Sequence, residues 1–222
     1  MSYILNIETA TRNCSVSISK SGKTVYCKEI AEEGYSHAER LHIFIEEALS
    51  EMQLTFKDLS AIAVSQGPGS YTGLRIGVSA AKGLCFALDI PLLALDTLQI
   101  LASQVKVNEG LIVPMIDARR MEVYSAVFNS KFEKIREVKA EIITENSFSD
   151  LEGIINFVGD SNDKCKSFLN QENFIFLDGI VFPSAKEMSV LSFEKFQNKD
   201  FVDVAYFEPY YLKDFLVTTS TK

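Results

Sequence analysis

The sequence predicts an α/β protein of two similar lobes, each a mixed sheet flanked by helices. Three observations carry that expectation. Strand-like runs come first as hairpins and then alternate with helical runs. The pattern restarts at mid-chain, where "YILNIET" and "LIVPMID" are apolar strands that end in an acid, Glu8 and Asp117. Small residues and arginine follow in each case, then a second alternating strand, which makes a weak internal repeat. Finally, 222 residues with 47% hydrophobic content provide a substantial core for one large domain or two small ones.

The first lobe is expected over residues 1–106. It opens with the strand "YILNIET". "CSVSIS" and "KTVYCKEI" alternate on either side of Lys20, Ser21 and Gly22, the pattern of a hairpin. Ser36 and Glu39 form the S-x-x-E of a capping box. Leu41, Phe44, Ile45, Ala48, Leu49 and Met52 then recur at helical spacing as one apolar stripe. "LSAIAVS" is a short buried strand, followed by a glycine-rich loop and the helix "LRIGVSAAKGLCFAL". "PLLAL" is another strand, and Asp96 or Thr97 caps a helix that runs to about Val105.

"VNEG" at 107–110 is the expected boundary, with the second lobe over residues 107–222. After the repeated strand pair come "KAEIITE" and "NFVGD" as strands, "NDKCKSFLN" as a helix, "NFIFLD" as a strand and "SAKEMSVLSFEKFQ" as a helix. "PYYLKDF" is a polar and aromatic tail expected to pack back on the first lobe.

The formal net charge is -8, so the chain lacks the electrostatic footprint of a protein that grips nucleic acid alone. No apolar run reaches the length of a membrane span, and the N-terminus enters a strand with no basic leader, so a cytoplasmic protein is expected. Cys14, Cys27, Cys85 and Cys165 have no C-x-x-C spacing and read as reduced thiols rather than a zinc site.

"SQGPGSYTGLRIG" at 65–77 is the motif that demands an explanation. A P-loop needs lysine after its last glycine, but Leu74 stands there. A G-x-G-x-x-G pattern fails at Thr72, and a G-x-S-x-G nucleophile elbow fails because Pro68 and Thr72 flank Ser70. Two readings remain: an anion site using backbone N–H groups, with Gly67, Gly69, Ser70 and Thr72 as its candidates, or a tight turn that lets a helix lie close to a sheet. The second is favoured. His37 and His42 are five residues apart and diverge by about 140° around a helix, unlike a chelating i, i+4 pair. Gly73, Gly77, Ala80 and Ala81 form a flat small-residue face, which suits either the protein's own sheet or a partner helix.

Taken together, "QGPGSYTGLRIG", "IET", "SHAERL", "DARRMEVY" and "EPYYLK" resemble, in this order, the motifs of the TsaB (YeaZ) family. The resemblance covers nearly the whole chain. It implies an actin-like ATPase fold of two RNase H-like lobes. It also implies a non-catalytic subunit that pairs with TsaD, the transferase that places a threonylcarbamoyl group on the adenosine beside the tRNA anticodon, and that joins TsaE in a ternary complex. On this reading tRNA is met only through the complex, a homodimer is one option for the subunit alone, and no membrane is involved. No cofactor is expected in the isolated subunit, and ATP or ADP only at the complex with TsaD and TsaE. The candidate partner-binding residues are His37, Leu41, Ile45, Gly73, Arg75, Gly77, Ala80 and Ala81. Two positions depart from the family pattern: Glu8 where Asp is usual and Lys213 where Arg is usual. Arg119 and Arg120 stand where actin-like ATPases use glycine to approach a phosphate, which argues against a closely wrapped nucleotide. The competing readings are a stand-alone actin-like ATPase or kinase, and a metallopeptidase.

Overall fold

The computed structural model describes residues 2–31 and 37–213. The first half of the chain builds β1 (Tyr3–Glu8), β2 (Cys14–Lys20), β3 (Lys23–Ile30), α1 (His37–Glu51), β4 (Leu59–Gly67), α2 (Tyr71–Leu88), β5 (Leu92–Asp96) and α3 (Thr97–Ala102). The second half builds β6 (Leu111–Asp117), β7 (Glu122–Asn129), β8 (Lys134–Ile142), β9 (Ile155–Val158), α4 (Asn162–Cys165), β10 (Phe174–Phe176) and α5 (Met188–Gln197). A 3-10 turn at Phe56–Asp58 precedes β4.

The mid-chain repeat is real at the level of topology. One sheet has the order β3-β2-β1-β4-β5 and the other β10-β9-β6-β7-β8, the same order read from opposite ends. In each, a three-stranded antiparallel meander is extended by two parallel strands. Two such mixed sheets flanked by helices are the actin-like architecture.

The first sheet is covered on both faces, so β1 is buried almost throughout and is apolar except at Asn6 and Glu8. Leu5, Ile7, Val16, Ile18, Ile62 and Val64 meet the stripe of α1 and the inner side of α2. On the opposite face Ile4, Ala61, Ala63, Leu93 and Leu95 meet Ile100, Ala185 and Met188. Helix α3 joins the two halves. Its Ile100 packs on the first sheet, while Leu98, Leu101 and Ala102 pack with Ile112, Phe128 and Val158 of the second. Asp96 caps it, accepting from the N–H groups of Leu98 and Gln99. Although it follows the second sheet in sequence, α5 packs against the first.

Some boundaries move, each for a local reason. Helix α2 begins at Tyr71 rather than Leu74, because the Ser70 hydroxyl accepts from Gly73 N–H and caps it. Strand β8 begins at Lys134, ahead of the expected "KAEIITE", and pairs with β7 along its length. The expected long helix after β9 is a single turn, α4. The Ser36 capping box and the last part of the tail lie outside the described residues. Among the described residues no helix is long and apolar enough to cross a membrane.

The glycines of α2 are not equivalent. A Cβ at Gly73 would fall on the carbonyl oxygen of Thr9, and one at Gly77 on the Thr9 hydroxyl, whereas one at Gly83 would meet nothing within 4 Å. Gly83→Ala is therefore expected to raise thermal stability by up to about 1 kcal/mol through helix propensity alone. Gly73→Ala and Gly77→Val are expected to lower it by about 1–3 kcal/mol, because the gap is already filled. Thermal unfolding of the three variants checks the order. Equal effects at Gly73 and Gly83 would show that close approach is not what selects glycine.

Candidate functional site

The loop that follows the first strand occupies an equivalent place in each sheet. In the first sheet this is the loop at 9–13. Thr9 donates through its hydroxyl to Gly73 C=O at 2.8 Å, and Ser70 N–H donates to Ala10 C=O at 2.7 Å. From α1, His37 donates its Nε2–H to Thr11 C=O at 2.8 Å. Burial pulls the His37 pKa down, opposed by that bond. With this ring nitrogen engaged and His42 on the exposed side of the helix, the two histidines do not converge. Among the described residues no group of three His, Cys, Asp or Glu side chains is placed to hold a metal ion.

The glycine motif serves the same clamp. Gly67 N–H donates to the Thr97 hydroxyl at 3.0 Å, Ser70 N–H to Ala10, and Gly73 N–H to the Ser70 hydroxyl. A Cβ at Gly69 would strike the Ala10 carbonyl. Three donors of a would-be phosphate cradle, and the Ser70 hydroxyl with them, are thus engaged inside the subunit. Thr72, in the first turn, is exposed.

The proposed partner residues separate in the same way. Leu41, Ile45 and Ala81 are fully or nearly fully buried among the subunit's own side chains, and Gly73 and Gly77 press on Thr9. These five belong to the core and offer no surface to another protein, which corrects the sequence expectation. Arg75 is exposed, and His37 and Ala80 are half-buried. Sequence reasoning missed the residues beside them. Phe86 on α2 is 85% exposed and Ile43 on α1 is 44% exposed. An open groove of about 470 Å³ lies between α2 and the segment after α5, lined by Lys82, Gly83, Phe86 and Asp203 to Ala205. Lone exposed apolar residues outside the inner stripe were the available signal.

Glu8, at the end of β1, is fully buried. Its Oε1 accepts from Ala10 N–H at 2.6 Å, while Oε2 and the Ser65 hydroxyl beside it have no hydrogen-bond partner among the described residues. Burial pushes this carboxyl up from 4.5 to about 7, against the pull of Ala10 N–H and the nearby Ser65. Its negative charge in turn adds to the burial that holds the Cys14 thiol at about 11.

The corresponding acid of the second sheet, Asp117, is in a different state. It is half exposed and ion-paired with Lys164 of α4. Asp117 N–H donates to Asp160 at 2.8 Å, and Asp117 accepts from Arg119 N–H at 2.9 Å. Lys164 also donates to the carbonyls of Arg120 at 3.0 Å and Glu122 at 2.7 Å. Arg119 and Arg120 have φ of 73° and 53°, left-handed values that cost non-glycine residues about 1–2 kcal/mol each. Asp160 has its pKa raised by burial and by the Asp117 charge, against the Asp117 N–H bond and the charges of Arg12 and Lys164. Arg12 from the first loop stacks on the Phe182 ring at 5.3 Å.

The raised pKa of Glu8 has a definite sign in stability. Between about pH 4.5 and 7 the folded chain holds a proton that the unfolded chain has released, so stability falls as pH rises through that window. The loss approaches roughly 3 kcal/mol above it. Glu8→Gln removes the dependence, since the amide can accept from Ala10 and donate to Ser65. The melting temperature of the variant should therefore gain on the original by roughly 5–10 °C between pH 5 and pH 8. Asp160 contributes equally to both proteins and cancels. Parallel melting curves across that range would contradict the assignment.

Comparison with known proteins places this geometry. The family model described as "TsaD: tRNA N6-adenosine threonylcarbamoyltransferase" matches residues 29–209. The chain is 38% identical over 128 residues to the tRNA threonylcarbamoyladenosine biosynthesis protein TsaB of Bacillus subtilis (strain 168), an alignment that spans 58% of the chain and 56% of that relative. It is 28% identical over 221 residues to the protein of the same name in Escherichia coli (strain K12), covering 95% of the chain and 94% of the relative. The solved structure of YeaZ from Pseudomonas aeruginosa superposes with a TM-score of 0.83 at 26% identity, covering 96% of this chain and all of that one. With a family-model match over most of the chain and a superposition along nearly its full length, the chain belongs to the TsaB/YeaZ family, inside the wider group that the threonylcarbamoyltransferase model describes.

Proposed function

We propose that this chain acts in formation of threonylcarbamoyladenosine in tRNA as a non-catalytic subunit that organises a TsaD-type transferase, with a TsaE-type ATPase joining the pair. The observation that carries the proposal is the internal engagement of the loop at 9–13 and the glycine motif. The polar groups that an actin-like enzyme turns toward a nucleotide are here bonded to Gly73, Ala10, Thr97 and His37. Asp117 of the second sheet is matched by Lys164. What the two helices present instead is an outward surface. Ile43 of α1 and Arg75, Ala80 and Phe86 of α2 are accessible there, and Phe86 with Lys82 lines a shallow apolar groove, which suits an interface with an aromatic anchor and a charged rim. The names of the relatives support the reaction, and this surface supports the role proposed within it. The subunit holds no cofactor of its own; nucleotide belongs to the assembled complex.

Two measurements test the proposal. Unmodified tRNA, threonylcarbamoyl-adenylate, TsaD and TsaE are incubated with and without this chain, and the modified nucleoside is counted. Robust formation without it, or by it alone, would overturn the reading. Phe86→Ser removes an exposed side chain whose loss costs the fold almost nothing. It is expected to leave the melting temperature unchanged and to weaken binding to TsaD by about 2 kcal/mol, roughly 30-fold. Unchanged affinity would move the interface to another face.

A further inference from the structure

We propose that the tip of the second hairpin, Arg119 and Arg120, is a phosphate-contact site for RNA, used when the subunit sits in its tRNA-modifying complex. The inference rests on the proposed function and adds to it where the subunit meets the nucleic acid. It stands on three observations.

The first is local charge matching. Glu122 is paired with Lys213, and Asp117 with Lys164. Asp160 accepts from Asp117 N–H. Arg119 and Arg120 are exposed, and among the described residues neither guanidinium has an ion-pair partner. Two positive charges therefore stand out to solvent on a chain whose formal net charge is -8.

The second is the backbone. Two successive arginines take left-handed φ values that suit glycine or asparagine. Such conformations persist where the surroundings over-determine them, and they cluster at functional sites. Here Lys164 over-determines the turn. Its ammonium contacts the Asp117 carboxylate and the carbonyls of Arg120 and Glu122 from beneath. The result is a braced turn that carries two adjacent, exposed arginines, the residue type that suits phosphate oxygens.

The third is the sign of the rest of the surface. A protein partner drawn to an acidic chain is basic, and two arginines would repel it at this point. An RNA is repelled by most of the surface and is admitted where the arginines stand. Two phosphate contacts release too few counterions to hold RNA alone, so the site acts by adding to a larger RNA surface on the partner.

The test uses the assembled complex. Arg119→Gly with Arg120→Asn supplies residues suited to the left-handed backbone, so the fold is retained or stabilised while both charges are lost. Unmodified tRNA is titrated into complexes containing the original or the variant chain over a salt series. Expected are an unchanged affinity between the protein subunits, a melting temperature at or above the original, and RNA affinity lower by roughly tenfold near 0.15 M salt. The slope of log affinity against log salt should become shallower by about 1–2. Arg119→Lys with Arg120→Lys should keep the slope. If the original complex assembles and the Gly/Asn variant shows the same slope and RNA affinity, this inference alone is overturned. It is also overturned if the variant loses affinity for the partner protein instead, since the arginines would then meet a carboxylate. Failure of the original chain to assemble at all overturns the proposed function and this inference with it.

Discussion

The closeness of α2 to the loop after β1 is the constraint on which the first half of the molecule depends. Gly73 and Gly77 carry no Cβ where Thr9 lies, and that absence brings the helix backbone within reach of the Thr9 hydroxyl. The approach in turn lets Ser70 N–H reach Ala10 C=O, and His37 closes the other side through Thr11. Once the helix is this close, its inner face meets Ile7 and Val64, and the sheet has no room for a larger residue at either glycine. The same contacts take polar groups of the loop out of circulation. Close packing and the internal use of these polar groups are thus one event seen from two sides, and the motif that looks like a phosphate loop pins the helix to the first loop.

The two sheets show how one topology accommodates different electrostatics. Glu8 and Asp117 occupy matching ends of the first strand in sheets of the same order. Glu8 has no cation within the core and stays near neutrality by keeping a proton, which burial allows up to about pH 7. Asp117 reaches solvent and is neutralised by Lys164. The difference follows from what covers each end. The first loop is pinned beneath two helices, whereas the second is buttressed by the single turn of α4 and stays open.

Much of this was legible because the signals were local. The hairpins, the stripe of α1 and the Asp96 cap each follow from residues a few positions apart, and the repeat at Glu8 and Asp117 is visible by eye. What could not be read depends on residues far apart in sequence. Ser15, Ser17 and Ser19 alternate with apolar neighbours as a solvent-facing row would, yet all three are buried. Ser17 donates to Ala185 C=O at 2.6 Å and Ser15 accepts from Ala185 N–H at 2.9 Å, across some 170 residues of chain. The small-residue face of α2 was likewise recognisable as a close contact, but periodicity does not name the neighbour. Only the fold shows that Gly73 and Gly77 face Thr9, and that the accessible residues are Arg75, Ala80 and Phe86.

The segment after α5 ties these surfaces together. Val202 N–H donates to Leu92 C=O at 3.0 Å at the edge of the first sheet, and Lys82 of α2 holds the carbonyls of Ala205 and Phe207 at 3.2 and 2.8 Å. Tyr210 N–H then donates to Gln66 C=O at 2.7 Å beside the glycine motif, with the Tyr211 ring 5.0 Å from that of Tyr71. Lys213 ends the described run on Glu122 in the second hairpin. One stretch of chain therefore runs from the groove beside Phe86 to the turn that carries Arg119 and Arg120. Backbone hydrogen bonds, charged contacts and the Tyr71–Tyr211 ring pair anchor it at intervals, which ties the outward side of α2 to the second hairpin. On the proposed reading that property matters more than a reactive group, because a scaffold works by the spacing of its contacts.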